Sequence, residues 1–234
     1  MKNLVKTECK KIGIELSDIQ AEQFERYYEL LIEWNEKINL TRITDREEVA
    51  LKHFADSLTL VKHYEIKQNA KVIDVGTGAG FPGIPLKILR PDISLTLLDS
   101  LNKRLNFLST VCSEIGIDAE LVHSRAEDGG RNPKLRESYD LAVSRAVARL
   151  NVLSEYCLPF VKVGGAFAAM KGPDAEEEIK EAENAVKILG GKTIKSDFFE
   201  LGSAGGRTIV IAEKLSKTPR AYPRQSSKIK SKPL

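Results

Sequence analysis

From Ala70 onward, short apolar runs alternate with helix-length amphipathic stretches, and this alternation limits the fold more than any other feature. Lys71–Val75, Ser94–Leu98, Glu120–His123, Asp140–Val143 and Gly165–Met170 read as strands. Helical patterns over Ile84–Leu89, Leu101–Ile115, Leu150–Leu158 and Asp174–Leu189 intervene. Such an order implies crossover units and a parallel sheet. The last two strands, near Thr193–Glu200 and Thr208–Glu213, are joined only by the Gly202–Gly206 turn, so they pair antiparallel. The fold expected is α/β, a doubly wound and mostly parallel seven-stranded sheet. Residues 1–66 read as helical throughout and form an N-terminal helical cap. Ser17 and Gln20 make a capping box, and Phe24, Tyr27, Tyr28, Leu31, Trp34 and Ile38 recur at helical spacing, with Phe24 and Trp34 read as core. The organisation expected is this cap, a sheet domain over 67–214 and a tail over 215–234.

Length and composition agree with a soluble chain of this kind. No apolar run approaches the ~18 residues of a membrane helix, and no secretory signal follows Met1. Cys9, Cys112 and Cys157 are far apart and form no CxxC pair, which points to a reducing cytoplasm and against a zinc site. No metal and no membrane partner is expected, and a monomer is. Seven basic residues and no acid lie from Lys214 onward, so the first 213 residues carry 29 basic against 33 acidic groups. A basic tail suits a phosphate-bearing partner, and it suits a solvated terminus equally well.

The first strand runs into Gly76-Thr77-Gly78-Ala79-Gly80. In an open α/β sheet ligands bind beyond the carboxyl ends of the strands. A dinucleotide site requires G-x-G-x-x-G, but Phe81 stands at the third position. No Gly-Lys-Ser/Thr follows, so the loop is not a P-loop. Asp74 lies two residues before Gly76; a carboxylate there suits a cationic ligand and would repel a pyrophosphate. Asp99, nineteen residues after Gly80, closes the second strand and is placed for ribose hydroxyls. Together these favour S-adenosylmethionine as cofactor, bound over Gly76 and Gly78, in a Rossmann-like methyltransferase. Ala126 follows the third strand, where its backbone would read adenine; Glu127 is either an adenine-side residue or a solvated acid.

The methyl acceptor is approached by exclusion. Ser144-Arg145-Ala146-Val147-Ala148 replaces the Pro-Pro-aromatic motif of exocyclic-amine methylation. Cys112 and Cys157 fall in helices, so no strand-end nucleophile for pyrimidine C5 is available. No general base stands out and no catalytic residue is named. A ring nitrogen such as guanine N7 has an unprotonated lone pair and needs alignment instead. Arg145, Lys171 and Arg207 lie at strand ends as substrate-side candidates, with Arg145 on O6, a phosphate or the cofactor. A methyltransferase of small molecules or proteins, and a non-catalytic RNA-binding module, are the competing classes.

Three segments resemble the ribosomal RNA small subunit methyltransferase G family: Trp34–Thr41, His53–Leu58 and above all Asp74–Leu86 with its Gly-Phe-Pro-Gly-Ile-Pro-Leu run. Ser144-Arg145-Ala146, Lys171-Gly172 and Lys217–Arg224 resemble it too. The tail departs from it at Gln225–Ile229, where the family commonly has a Gly and a Pro. The resemblance implies methylation of N7 of one guanosine in 16S ribosomal RNA, near the decoding centre. It also implies cofactor contacts at Gly76, Phe81, Ala126, Glu127 and Arg145.

Overall fold

The computed structural model of the chain describes residues 1–145 and 148–234. The strands are β1 (Lys71–Val75), β2 (Ser94–Asp99), β3 (Ala119–His123), β4 (Tyr139–Arg145), β5 (Val161–Lys171), β6 (Gly191–Glu200) and β7 (Gly206–Lys214). They form one seven-stranded sheet in the order β3-β2-β1-β4-β5-β7-β6. β1 to β5 pair in parallel, and β7 enters antiparallel between β5 and β6. This is the doubly wound, mostly parallel sheet expected. The chain runs outward from β1 through β2 to β3, then returns to β4 on the opposite side of β1. The switch point therefore lies at the carboxyl ends of β1 and β4, where such sheets hold ligands. β5 starts at Val161 rather than Gly165: Val161 pairs with Tyr139 across a register shift, and Gly164 takes φ 80 at the irregularity.

The first 66 residues are not helical throughout. After α1 (Lys2–Lys11) and α2 (Asp18–Ile38), Asn39 turns left-handed at φ 50 and ends α2. The Asn35 side chain accepts from the Leu40 and Thr41 amides at 2.7 and 2.8 Å and holds the bend. Asp45 then caps the next helical stretch by accepting from the Glu47 and Glu48 amides. That stretch comprises α3 (Arg46–Val49), a π turn over Ala50–Ala55, α4 (Asp56–Leu58) and α5 (Leu60–His63). The Ser17–Gln20 capping box is present at the start of α2.

Two apolar layers cover the sheet. On one face Phe24, Tyr27, Leu31 and Phe54 from the N-terminal helices pack with residues of α6 (Gly83–Leu89) and α7 (Asn102–Ile115) against Val72. On the other, α9 (Leu150–Cys157) and α10 (Glu176–Ile188) pack on Ile73 and Val75. The period of two along β1 thus places Asp74 on the face toward the N-terminal helices. Phe24 is fully buried, whereas Trp34 is half-buried and meets Phe107 at 5.8 Å between centroids. No helix among the described residues is long and apolar enough to cross a membrane.

Candidate functional site: two cavities at the switch point

The glycine loop is shaped by three residues with different tasks. Gly76, Gly78 and Gly80 all take positive φ, at 73, 60 and 97°. At Gly78 a Cβ would meet only the Gly76 carbonyl, at 3.9 Å, so the space above it is open. At Gly80 a Cβ would strike the Tyr27 hydroxyl, Ile84 and Leu108 at 2.5 to 3.0 Å. Gly78 therefore belongs to a cradle for a ligand and Gly80 to close packing against α2. The Tyr27 hydroxyl donates to the Ala79 carbonyl and its ring stacks on Phe81, tying α2 to the loop.

Asp74 does not face the ligand. Its Oδ2 accepts from the Thr77 hydroxyl at 2.8 Å and from the Gly83 amide at 2.9 Å, at the start of α6. It is fully buried, and burial pushes its carboxyl up to about 6. The expectation that it counters a cationic ligand is corrected by its position: its donors come from the turn it braces, and it is absent from the cavity wall.

A cavity of about 850 Å³ opens above Gly76, Gly78 and Phe81. Asp99, Ala126, Glu127 and Arg145 line it as well, so, Asp74 apart, the structure brings together the cofactor residues expected from sequence. Asp99 is buried and already accepts from Leu101 N at 2.9 Å, Gly78 N at 3.0 Å and Arg104 Nη1 at 3.3 Å. Two carboxylate oxygens offer about four acceptor sites. A ribose hydroxyl thus finds one position open, and a second when the long Arg104 contact gives way. Ala126 opens α8 (Ala126–Gly129), whose first amides lack intrahelical acceptors, and Glu127 is buried rather than solvated. An open glycine cradle, a carboxylate closing β2 in the same cavity wall and free amides beyond it fit the adenosyl group of S-adenosylmethionine.

A second cavity of about 330 Å³ adjoins the first and shares His53 and Arg145 with it. Arg145 is held on several sides. Nη1 donates to Asp56 Oδ2 at 2.8 Å and to the Lys52 carbonyl at 3.1 Å, and the guanidinium carbon lies 4.9 Å from the Phe81 ring centre. Asp56 Oδ1 accepts from Arg207 Nε at 2.9 Å. One buried carboxylate therefore fixes both arginines. Each keeps an Nη2 arm with little to hold it: that of Arg145 has a 3.4 Å contact to His53 Nδ1, and that of Arg207 has no protein partner among the described residues. Lys171, also on this wall, is bound to Glu178 at 2.7 Å and to the Ala148 carbonyl at 2.8 Å. It supports the wall more than it offers a free cation. Ala146 and Val147 lie outside the described residues.

His53 stacks on Phe81 at 4.6 Å, and its Nε2 lies 2.8 Å from the Thr41 hydroxyl. Burial and the neighbouring Arg145 push its imidazole down to about 3, so it is neutral at physiological pH. Cys112 and Cys157 are buried on helices, as expected, with thiols pushed up by burial. Neither is a nucleophile.

The tail is ordered against the body, so the solvated-terminus reading does not hold. Lys214 is fully buried, donating to Leu158 O and Thr218 Oγ1, and burial lowers its ammonium to about 8. Arg224 is paired with Glu155, itself fully buried. Of the seven cations of this region, Lys214 is therefore internal and Arg224 is half-buried on a buried carboxylate. Sequence reasoning also passed over Asp56, Arg104 and Tyr156. One signal was available: His53, Asp56 and Ser57 recur at helical spacing inside an apolar stretch, which marks a buried polar face.

Residues 20–206 match the family model described as rRNA small subunit methyltransferase G. A ribosomal RNA small subunit methyltransferase G of Desulforamulus reducens is 50% identical over 98% of this chain and 97% of its own length. One of Brevibacillus brevis is 52% identical over 95% and 94%. Among solved structures, a methyltransferase from Pyrococcus furiosus aligns with TM-score 0.59 at 15% identity, over 84% of this chain and all of its own. An S-adenosylmethionine-dependent O-methyltransferase from Thermotoga maritima aligns with TM-score 0.54 at 14% identity, over 81% of this chain and 72% of its own. These two share the fold. By sequence over nearly its whole length, the chain belongs to the ribosomal RNA small subunit methyltransferase G family.

Proposed function

We propose that this chain transfers the methyl group of S-adenosylmethionine to N7 of one guanosine in 16S ribosomal RNA, near the decoding centre. The observation that carries the reading is the contact between two cavities at the switch point, with Arg145 and His53 in the wall of both. The larger cavity takes the cofactor through Gly76, Gly78, Phe81, Asp99, Ala126, Glu127 and Arg145. The smaller one takes the target base. Arg145, Arg207 and Lys171 surround that base, within a division of labour among a helical cap over 1–66, a sheet domain over 67–214 and a tail over 215–234.

When bound, S-adenosylmethionine supplies a sulfonium-activated methyl group. Guanine N7 carries a lone pair and no proton, so the protein has no proton to remove. Its task is alignment and exclusion of water. A neutral His53 stacked on Phe81 gives a flat wall without a charge to repel the sulfonium. The Asp56 carboxylate commits one arm of Arg145, and its Nη2 arm reaches O6 while leaving N7 open. The Nη2 arm of Arg207 is then available to a phosphate oxygen of the same strand. One chain builds both cavities, which supports a monomeric enzyme, and a ribosomal substrate is consistent with action in the cytoplasm.

Incubation with methyl-labelled S-adenosylmethionine, small ribosomal subunits, free protein substrates and small-molecule extracts tests the reading. Label at N7 of a guanosine in 16S RNA supports it. Label confined to protein or small molecules rejects it in favour of another acceptor, and absence of cofactor binding in calorimetry leaves only an RNA-binding module.

A further inference from the structure

We propose that the C-terminal segment beyond Arg224 is a wall of the cofactor cavity, with Ser226 and Lys230 as contacts for the adenosyl end of S-adenosylmethionine. The inference rests on assigning the larger cavity to that cofactor. Ser226, Lys230 and Pro233 line the same cavity as Gly76, Asp99 and Glu127, although more than ninety residues of chain separate them from Glu127.

The segment is fastened where it must be to do this. The Arg224 amide donates to Glu155 Oε1 at 2.7 Å, and its guanidinium holds both carboxylate oxygens, with Nη2 to Oε2 at 2.6 Å. Glu155 sits on α9 and is fully buried, while Arg224 is half-buried, so salt screens this charge pair less than a surface one. Just upstream, Arg131 Nε donates to the Pro223 carbonyl at 2.7 Å, and Arg136 Nη1 to the Tyr222 carbonyl at 2.8 Å. Downstream, α11 (Ser226–Ser231) buries Ile229 completely in the core layer that contains α9.

These anchors place the segment beside the adenine-side loop. A Cβ on Gly130, which follows α8, would come within 3.1 Å of the Pro223 ring, so α8 and the tail touch. Tyr156 of α9 and Ser226 line the cavity together. Lys230 is exposed at the cavity wall, and a lysine's four-carbon stem suits covering a ring while its ammonium stays in water. A segment that read as a handle for phosphates thus covers a nucleoside.

The test uses limited trypsin cleavage of the full chain after Lys228 and Lys230, with and without saturating S-adenosylmethionine, and calorimetry of Ser226→Ala/Lys230→Ala. The cofactor should slow cleavage at these lysines about fivefold or more, because it closes the segment against the body. The double variant should bind the cofactor about tenfold more weakly, with the thermal midpoint of the cofactor-free protein unchanged. Equal cleavage rates with and without cofactor, together with unchanged affinity in the variant, overturn the proposal. So does a variant that keeps cofactor affinity but loses small-subunit binding, which would make the segment an RNA handle. If the parent chain itself binds no S-adenosylmethionine, the assignment of the cavity falls and this inference with it.

Discussion

Asp56 and Arg145 meet at 2.8 Å across the seam between the N-terminal helices and the carboxyl end of β4. The same carboxylate holds Arg207 at 2.9 Å, so one residue of the N-terminal helices positions two cations contributed by the sheet. Breaking a buried pair by removing one partner costs about 3–5 kcal/mol, most of it from the charge left alone. Asp56→Asn keeps the shape and removes the charge. Methylation of small subunits should fall by about tenfold or more, while cofactor affinity changes by less than about threefold, because Phe81 and Lys52 still hold Arg145. Parallel calorimetry and initial-rate measurements check this, and equal losses in both would refute it.

Gly78 and Gly80 should respond differently to alanine. The strain of positive φ is common to both, roughly 1 kcal/mol. At Gly80 the added carbon also meets Tyr27, Ile84 and Leu108, so Gly80→Ala should fail to fold or melt far below the parent. Gly78→Ala enters open space, so it should fold and lose cofactor binding. Thermal unfolding together with calorimetry separates the two outcomes.

Tyr27→Phe removes the hydroxyl that the Ala79 carbonyl accepts from. A buried carbonyl without its donor costs about 1–3 kcal/mol. Urea unfolding should show a loss of that size with an unchanged slope, and cofactor affinity should fall with it, since Ala79 is part of the cradle. A stability loss without any change in affinity would show that the loop is set independently of α2.

The fold was legible because both its periods are simple. Alternation of apolar strands with helices set the parallel sheet, and the bare Gly202–Gly206 turn set the antiparallel pair. The wall of the larger cavity was legible for the same reason, since Gly76 and Ala126 follow strands and Asp99 closes one. Asp74 is the exception: an acid inside an apolar strand suits a cationic ligand on sequence alone, and it braces the turn before α6 instead. A carboxylate's partner three or nine residues on is a local backbone matter that hydropathy does not reveal. Asp56 and the Arg224–Glu155 pair were hidden for a different reason, because their partners lie 89 and 69 residues away. The π turn over Ala50–Ala55, which helical spacing does not anticipate, sets the path of the chain into Asp56.

His53 and Asp74 should oppose one another in acid. His53 is pushed from its ordinary 6.5 down to about 3, so the unfolded chain takes its proton first and stability falls as pH drops through that window. Asp74 is raised from 3.8 to about 6, so the folded chain takes its proton first and stability rises as pH drops from 6 to 3.8. Each proton is worth about 1.4 kcal/mol per pH unit, so between pH 6 and 4 these two slopes nearly cancel. Asp74→Asn should expose the histidine slope. Denaturant midpoints of parent and variant at several pH values should diverge increasingly below pH 6, and parallel curves would contradict these assignments.

Small ribosomal subunits that lack their N7-methylguanosine are the decisive substrate. After incubation with the protein and S-adenosylmethionine, their 16S RNA is cleaved chemically at N7-methylguanosine and the cut sites are mapped. A single new cut is expected, at a guanosine near the decoding centre, and it should be lost with Arg145→Ala. No cut, with label at another atom of RNA or in protein, would contradict it.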